Sequence, residues 1–189
     1  MSAIRKKYSR GSPSTDNGTG NSQKMDFCLE AVQRGDAERV RDLLKDVCAV
    51  DWQDEHGYGL LFHAVFRKQF LIADLLLAAG ADIDLCDPHG WTPLFWAAFN
   101  GHTEVATFLL KHGANPNLPT HEGDSPLLLA AYKGYAEIVR LLLAGGARWD
   151  AVGPDGRNAL WVARAKGHVE IVTLLEACSS TGAPSAGAH

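Results

Sequence analysis

Four glycines recur along this chain at one constant spacing, the interval from Gly57 to Gly90, and four alanines follow them at a fixed offset. The two columns are Gly57, Gly90, Gly123 and Gly156 with Ala64, Ala97, Ala130 and Ala163, and a third consists of Leu61, Leu94, Leu127 and Leu160. A unit of this length is one supersecondary element that cannot bury its apolar side alone, so neighbouring units must stack and share a core. The sequence therefore predicts a long, narrow stack of repeats.

The register of the repeats divides the chain into five units between two tails. The predicted units are 25–53, 54–86, 87–119, 120–152 and 153–178, the N-terminal tail is 1–24, and the C-terminal tail is 179–189. Both tails have little apolar content, so they cannot offset the entropy of ordering, and we expect them to be flexible. Units one and five carry Arg39 and Arg164 where unit three has Val105 and Ala98, as expected of units that cap a stack.

Unit three contains the start and stop signals of two helices. Gly90 suits the positive φ of a tight turn, and Thr92 and Pro93 suit the N-cap and the first residue of a helix. Gly101 suits the left-handed residue that ends this inner helix, and an outer helix runs from there to Gly113. The sequence therefore predicts units of turn, helix, turn and helix, with extended fingers between them.

Unit two lacks three of these signals. Gly59 and Leu60 stand in place of the capping Thr and the Pro, and Lys68 stands in place of the Gly that ends the inner helix. Because these local signals are weaker than those of unit three, we expect the neighbouring units to hold unit two in place.

The charge of the chain is uneven, and it bears on the class of partner. The formal net charge is −4, and the tail 1–24 holds five basic residues against one acidic residue, which leaves the repeats more acidic than the whole chain. Proteins that bind nucleic acid present basic surfaces to phosphate, so we expect no nucleic-acid partner. The basic residues of the tail suit a targeting or anionic-surface address as well as a solvated tail, and they are Arg5, Lys6, Lys7, Arg10 and Lys24.

The cysteines and the apolar runs favour a soluble protein of a reducing compartment. Cys28, Cys48, Cys86 and Cys178 are far apart in the sequence and form no CxxC pair. Cys86 and His89 form a CxxH, but a structural zinc site needs a second pair, so we expect no metal and no other cofactor. No apolar run approaches the roughly 20 residues of a membrane span, and no secretory signal is evident. We therefore expect a cytoplasmic protein, with the nucleus as the alternative.

The repeats resemble those of the ankyrin repeat family. Unit three reads GWTPLFWAAFNGHTEVATFLLKHGANPN, unit four reads GDSPLLLAAYKGYAEIVRLLLAGGARWD, and the resemblance covers residues 25–178. It implies an all-α solenoid of stacked helix-turn-helix units joined by β-hairpin fingers. The His of the family's TPLH pattern is absent, so we expect its hydrogen bond to be missing; its column holds Phe62, Phe95, Leu128 and Trp161. Asn117 matches a finger Asn of the family, and we expect it to stabilise the turn; the alternative that the resemblance implies is that it receives an enzymatic hydroxyl group.

The resemblance also implies a partner-binding surface on the concave face, where the turn tips and the inner helices meet. The contact columns flank the turn Gly and end the inner helix. The predicted partner-binding residues are Glu55, His56, Tyr58, Phe66, Arg67, His89, Trp91, Phe99, Asn100, Glu122, Asp124, Tyr132, Lys133 and Arg157. The aromatic residues among them should be exposed in the free domain, as the aromatics of binding hot spots are. The alternative is that Phe66, Phe99 and Tyr132 pack on one another between adjacent inner helices.

We expect charge to divide across this face. Acidic residues lie on the finger side, at Asp54, Glu55, Asp84, Asp87, Glu122, Asp124 and Asp155, and basic residues end the inner helices, at Arg34, Arg67, Lys133 and Lys166. Two such walls suit a partner that is selected by charge, although charges in exposed turns are also explained by solvation alone.

No set of residues in the repeats supports catalysis. The motifs GxSxG, GxGxxG and HExxH are absent, and a stacked solenoid lacks the enclosed pocket that acid–base chemistry needs. We therefore predict a non-enzymatic scaffold or adaptor, monomeric when free, that binds a protein or peptide on its concave face. Two alternatives stay open: a regulatory, inhibitory or chaperone-like subunit of an enzyme, and an effector delivered into a host cell.

Overall fold

The computed structural model describes residues 18–46 and 49–180, which form ten helices. In chain order these are α1 (Gly18–Arg34), α2 (Ala37–Asp46), α3 (Leu60–Phe66), α4 (Phe70–Ala78), α5 (Pro93–Asn100), α6 (Thr103–Lys111), α7 (Pro126–Lys133), α8 (Ala136–Ala144), α9 (Ala159–Lys166) and α10 (Val169–Ser180). The odd-numbered helices form the inner row, the even-numbered helices form the outer row, and each successive pair is one unit. The predicted all-α repeat fold is confirmed.

The first helix is longer than those that follow. It begins at Gly18, inside the stretch 1–24 that the sequence assigns to a tail, and residues 1–17 lie outside the described residues. Met25, Cys28 and Val32 are buried at helical spacing and anchor α1 in the core. No proline stands between Gly18 and that anchor, so nothing in the backbone chemistry stops the helix from extending toward the N-terminus. At the other end of the chain, α10 runs to Ser180, and the rest of the predicted C-terminal tail is also outside the described residues.

The helix signals of unit three act as predicted. The Oγ1 of Thr92 accepts a hydrogen bond at 3.1 Å from the backbone N–H three residues later, Pro93 is the first residue of α5, and Gly101 ends the helix with a φ of 73°. In unit two, Gly59 precedes α3 without a side-chain cap, and Lys68 follows α3 with a φ of 58°. Lys68 is the one non-glycine residue with a positive φ in the described part of the chain, and this conformation favours glycine.

The alanine and leucine columns form a core that the units share. The fully buried alanines are Ala64, Ala97, Ala130 and Ala163, and the buried leucines of the same layer are Leu61, Leu94 and Leu127. The small alanines let neighbouring inner helices approach closely, and the leucines fill the space between the two rows. None of the described helices has both the length and the apolar character that crossing a membrane requires.

One junction in the stack is wider than the others. The backbones of α3 and α5 approach each other less closely than those of the other neighbouring inner helices, and the same is true of α4 and α6 in the outer row. Val65 stands in α3 where units three and four have Ala98 and Ala131. Aromatic rings fill the wider space, and in the outer row Phe70 stacks on Phe108 with ring centroids 4.8 Å apart. Bulkier side chains thus separate units two and three.

The fingers between units are turns and not the predicted β-hairpins. Within the described residues the strand-like pairings are isolated bridges, between Gln53 and Gly59 and between Val152 and Asn158. In unit two the N–H of Asp54 bonds to the carbonyl of Tyr58 at 3.0 Å, and the N–H of Gly57 bonds back to the carbonyl of Asp54 at 2.9 Å. Because each turn closes on itself within a few residues, too few backbone groups are left to build a ladder.

Side chains tie each finger to the finger of the next unit. Three acceptors at equivalent positions of successive units, Asp51, Asp84 and Asn117, each bind one backbone N–H of the following unit. The N···O distances are 2.8 Å to Asp82, 3.1 Å to Asn115 and 2.8 Å to Arg148. The side-chain amide of Asn117 also donates to the carbonyl of Gly146 at 3.0 Å, so Asn117 has a structural role in the finger. We call these three bonds the finger staples.

Candidate functional site

Aromatic rings of units two and three form one cluster on the inner-helix face. The cluster, which we call the aromatic junction, consists of Tyr58, Phe62, Phe66, Trp91, Trp96 and Phe99. In unit two, Phe62 stacks between Tyr58 and Phe66, with ring centroids 4.3 and 4.4 Å away. Phe62 and Phe66 are four residues apart in α3, the spacing that brings side chains together on one side of a helix.

Trp96 joins the rings of the two units. Its ring lies edge-on to Tyr58 and Phe62, at 5.9 and 6.0 Å, and it contacts Trp91 at 4.8 Å. Phe99 extends the cluster toward unit four, with its ring 5.4 Å from that of Trp91. Sequence reasoning missed Trp96 because this residue stands neither at a turn tip nor at the end of an inner helix.

The prediction that these aromatics are exposed is wrong for four of them. Tyr58, Phe66, Trp91 and Phe99 are half-buried, because each ring covers part of its neighbour, whereas Tyr132 keeps 48% of its surface exposed. The junction therefore presents ring edges and partial ring faces to solvent, in a fixed arrangement.

Lysines cover two of the predicted contact rings. The Nζ of Lys133 lies 4.5 Å from the centroid of the Phe99 ring, and the Nζ of Lys166 lies 4.2 Å from that of Tyr132. Lys133 directly follows Tyr132, which is the residue of unit four equivalent to Phe99, and Lys166 stands in the same relation to Tyr132. Each lysine therefore reaches back from its own unit to the ring of the preceding unit. These two lysines are thus occupied by cation–π contacts and do not stand as an open basic wall.

The same register places an asparagine, and not a lysine, one position beyond the equivalent of the unit-two ring. Asn100 bears the same relation to Phe66 as Lys133 does to Phe99, and its Nδ2 donates to the carbonyl of Trp96 at 2.9 Å. At the C-terminal end of the stack, the guanidinium of Arg157 lies 4.0 Å from the Trp161 ring centroid. The inner-helix face therefore repeats one device, a cation on an aromatic ring, with a gap at Phe66.

Two carboxylates predicted to form an acidic wall are held inside their turns. Asp54 accepts bonds from the N–H groups of His56 and Tyr58, both at 2.9 Å, and its other oxygen lies 2.9 Å from the Nε2 of His63. Burial acts to raise the pKa of Asp54, but the bonds from Tyr58, His63 and His56 outweigh it, so the pKa is lowered. In unit two, Phe62 occupies the column of the family's missing His, and the donor His63 is the residue that follows it.

Asp87 plays the same part in unit three. It is 6% exposed and accepts bonds from the N–H groups of His89 and Trp91, at 2.8 and 3.0 Å. The Nε1–H of Trp96 donates to its other oxygen at 3.2 Å. In both units the side-chain donor stands at the same offset after the carboxylate, a spacing that the sequence contains.

A groove of about 610 Å³ opens beside the aromatic junction, between the turn tips of units two, three and four. Six predicted contact residues line it: Glu55, His56, Tyr58, His89, Trp91 and Glu122. The other lining residues are Asp87, Pro88, Trp96 and His121. We call this space the turn-tip groove. It has an aromatic floor and a rim of imidazoles and carboxylates.

The remaining predicted contact residues lie away from this groove. Asp124 and Tyr132 line a second, smaller groove of about 340 Å³ together with Leu128, Pro154 and Asp155. Five more predicted contact residues lie at the ends of inner helices: Phe66, Arg67, Phe99, Asn100 and Lys133. The last one, Arg157, lies over the ring of Trp161. The structure thus divides the predicted site into two neighbouring grooves and a row of helix ends.

Neighbouring carboxylates act on two titratable groups along the turn tips. The pKa of Tyr58 is raised by burial and then by the charges of Asp87 and Asp54. The pKa of Asp124 is likewise raised by burial and then by the charges of Glu122 and Asp155. Groups in two different units therefore experience a field that opposes added negative charge.

The titratable groups of this region do not form a metal centre. Within the described residues, no three His, Cys, Asp or Glu side chains come close enough together to hold a metal ion. Cys28 and Cys86 are free thiols, and burial followed by the charges of Asp87 and Asp82 raises the pKa of Cys86, which disfavours the reactive thiolate.

Comparison with known proteins agrees with this architecture. The family model described as ankyrin repeats (3 copies) matches residues 28–120 and 114–182. A comparison with curated proteins finds no significant match. The two family matches together cover the second part of α1 and all of α2 to α10, and the chain belongs to the ankyrin repeat family.

Proposed function

We propose that this protein is a non-enzymatic scaffold that binds a protein or peptide partner on its inner-helix face, the concave face of the solenoid. Ankyrin repeats generally mediate protein–protein interaction. The observation that carries the proposal is the turn-tip groove, because six residues from the predicted contact columns line one space of about 610 Å³. Units two, three and four each place a turn tip at this groove, so the scaffold positions the site before a partner arrives.

The composition of the groove supports binding of a macromolecule. Tyr58 and Trp91 are half-buried and fixed by neighbouring rings, so a partner gains aromatic contact area with little loss of side-chain entropy. Glu55 and His56 stand at the rim with side-chain exposures of 87% and 66%, where polar groups select a partner by charge.

The proposal includes a cellular setting. Free thiols at Cys28 and Cys86 suit the cytoplasm or the nucleus, which are reducing compartments. The carboxylates of Glu55, Asp87 and Glu122 line the groove and none of its described lining residues is a lysine or arginine, which disfavours nucleic acid as the partner. We propose that the free protein is a monomer, since the groove is assembled from the units of a single chain.

The test is a pull-down from cell extract with the full chain as bait. We expect Trp91→Ala combined with Phe99→Ala to abolish capture of a bound protein while thermal unfolding stays cooperative. The matched control is Leu71→Ala combined with Val169→Ala, since both side chains are exposed on outer helices, at 63% and 75%. Capture that survives the groove double variant contradicts the site assignment. If the captured protein changes its activity on mixing, the chain is a regulatory subunit and not a passive adaptor.

A further inference from the structure

We propose that the turn-tip groove binds a basic side chain, the guanidinium of an arginine in an extended segment of the partner, between its aromatic floor and the carboxylates of its rim. This inference rests on the proposed function and names the chemistry of the partner. It commits to one class of occupant, a basic peptide segment.

The first observation is the charge of the groove. No lysine or arginine is among the described residues that line it. Glu55 and Glu122 stand at its rim, and the Nε2 of His56 lies 3.7 Å from the Oε1 of Glu55. Both carboxylates therefore lack a permanent cationic partner within the described part of the chain, and a guanidinium would supply one through paired hydrogen bonds.

The second observation is what the aromatic rings of this face do elsewhere. Three rings, those of Phe99, Tyr132 and Trp161, are covered by cations of the chain itself, at 4.5, 4.2 and 4.0 Å. Among the described residues, no lysine or arginine covers Tyr58, Trp91 or Trp96, three rings that line the groove. Two of the rings that no lysine or arginine covers, Tyr58 and Trp91, thus line the same groove as the unpaired carboxylates of Glu55 and Glu122.

The third observation is the direction of the field at the groove. Burial and the charges of Asp87 and Asp54 together raise the pKa of the Tyr58 hydroxyl, and the buried carboxylate of Asp87 is itself one of the residues that line the groove. A cation entering this space meets negative charge from the floor and from the rim. Arginine fits better than lysine, because its planar group stacks on a ring and pairs with a carboxylate in one orientation.

The experiment is a fluorescence anisotropy titration of the full chain with synthetic peptides. The probe carries adjacent arginines between glycine and serine residues, and the comparison peptide carries citrulline, which keeps the shape of arginine without its charge. We expect the arginine peptide to bind about tenfold more tightly or better, and added salt to weaken it. Equal binding of the two peptides, or no binding of the arginine peptide, overturns the inference.

Variants locate the binding in the groove. Glu55→Gln combined with Glu122→Gln should weaken binding of the arginine peptide about tenfold, because both carboxylates lose their charge. The control, Glu38→Gln combined with Glu137→Gln, changes the net charge equally on the exposed surface of α2 and α8 and should leave binding unchanged. Equal weakening in both pairs contradicts the inference, since it indicates nonspecific attraction to an acidic protein.

The outcomes separate this inference from the proposed function. If the arginine peptide fails while Trp91→Ala with Phe99→Ala still abolishes capture of a protein, the scaffold function stands and the basic-segment inference is wrong. If the peptide binds and capture is insensitive to that double variant, the groove recognises cations but does not account for the protein partner.

Discussion

Units two and three have the same architecture, but only unit three contains the local signals that specify it. In unit three, Thr92 caps α5, Pro93 begins it and Gly101 ends it in the left-handed conformation. In unit two, α3 forms at the equivalent place without a side-chain cap, and Lys68 adopts the left-handed conformation in place of glycine. Tertiary packing in the stack thus supplies what the sequence of unit two omits.

The packing that holds unit two is visible on both of its sides. Toward unit one, α1 packs against α3 and α2 against α4, and Leu60, Leu61 and Val65 are buried between the rows. Toward unit three, the wider junction is filled by rings and not by close backbone contact. Unit two therefore depends on side-chain packing at both of its junctions, and the following variants test that dependence.

The largest effect is expected from the shared core. Leu94→Ala in unit three and Leu61→Ala in unit two should each lower the free energy of unfolding by about 2–5 kcal/mol, because both leucines are buried and leave a cavity. Urea denaturation measures both, with the exposed Leu71→Ala as the control. A much smaller loss for Leu61→Ala would show that unit two is only loosely joined to the core.

The second effect comes from exchanging the residues that end the inner helices. Gly101→Lys should lower the free energy of unfolding by about 1–2 kcal/mol or more, because φ is 73° and an added Cβ would lie 3.1 Å from the Tyr135 ring. Lys68→Gly should raise it by up to about 1 kcal/mol. The ion pair lost with Lys68 joins exposed groups 2.7 Å apart, Lys68 and Glu104, and is worth little. Thermal denaturation gives both changes, and a loss of stability in Lys68→Gly would contradict the assigned strain.

A smaller gain is expected from completing the row of cations on rings. Asn100→Lys would place an ammonium over Phe66 as Lys133 is placed over Phe99, and should raise the free energy of unfolding by about 0.5–1 kcal/mol. The comparison variant is Lys133→Asn, which should lower it by a similar amount. Calorimetry measures the change in the free energy of unfolding in both variants. The two changes must have opposite signs if units two and three are equivalent at this position.

The smallest effect should appear only in acid. The folded pKa of Asp54 is lowered from its ordinary value of 3.8, so its contribution to stability is present above that value and is lost as the pH falls through the lowered folded pKa. Asp54→Asn should therefore lower stability at neutral pH and flatten the loss of stability below about pH 4. Urea titrations across this range measure the slope. An unchanged slope would mean that the bonds from His56, Tyr58 and His63 do not favour the ionised carboxylate.

The sequence predicts features that depend on one unit at a time. Repeat spacing locates the core columns, and the chemistry of Thr92 and Gly101 predicts where α5 begins and ends, since both act through the nearest backbone groups. The packing of the aromatic rings, in contrast, depends on how neighbouring units meet and is not specified by one unit alone. The half-burial of Tyr58 and Trp91 follows from the position of Trp96 at a junction whose width no single unit specifies.

Other features escaped prediction because their partners become neighbours only in the stack. Asp51 and Asp84 are ordinary finger residues in sequence, yet each accepts a backbone N–H from the next unit. The lysines that cover Phe99 and Tyr132 each come from the next unit, one position after the residue that is equivalent to the ring. This relation can be recognised only after the length of the repeat is known. The grooves themselves result from three-dimensional placement of turn tips.

The finger staples are directional. In each of them the acceptor side chain belongs to the earlier unit and the donor N–H to the later one. A ribosome releases a chain from its N-terminus, so each emerging unit meets an acceptor that a folded neighbour already presents. The staples thus give the stack a chemical polarity, in which units one to three each present an acceptor to the unit on their C-terminal side.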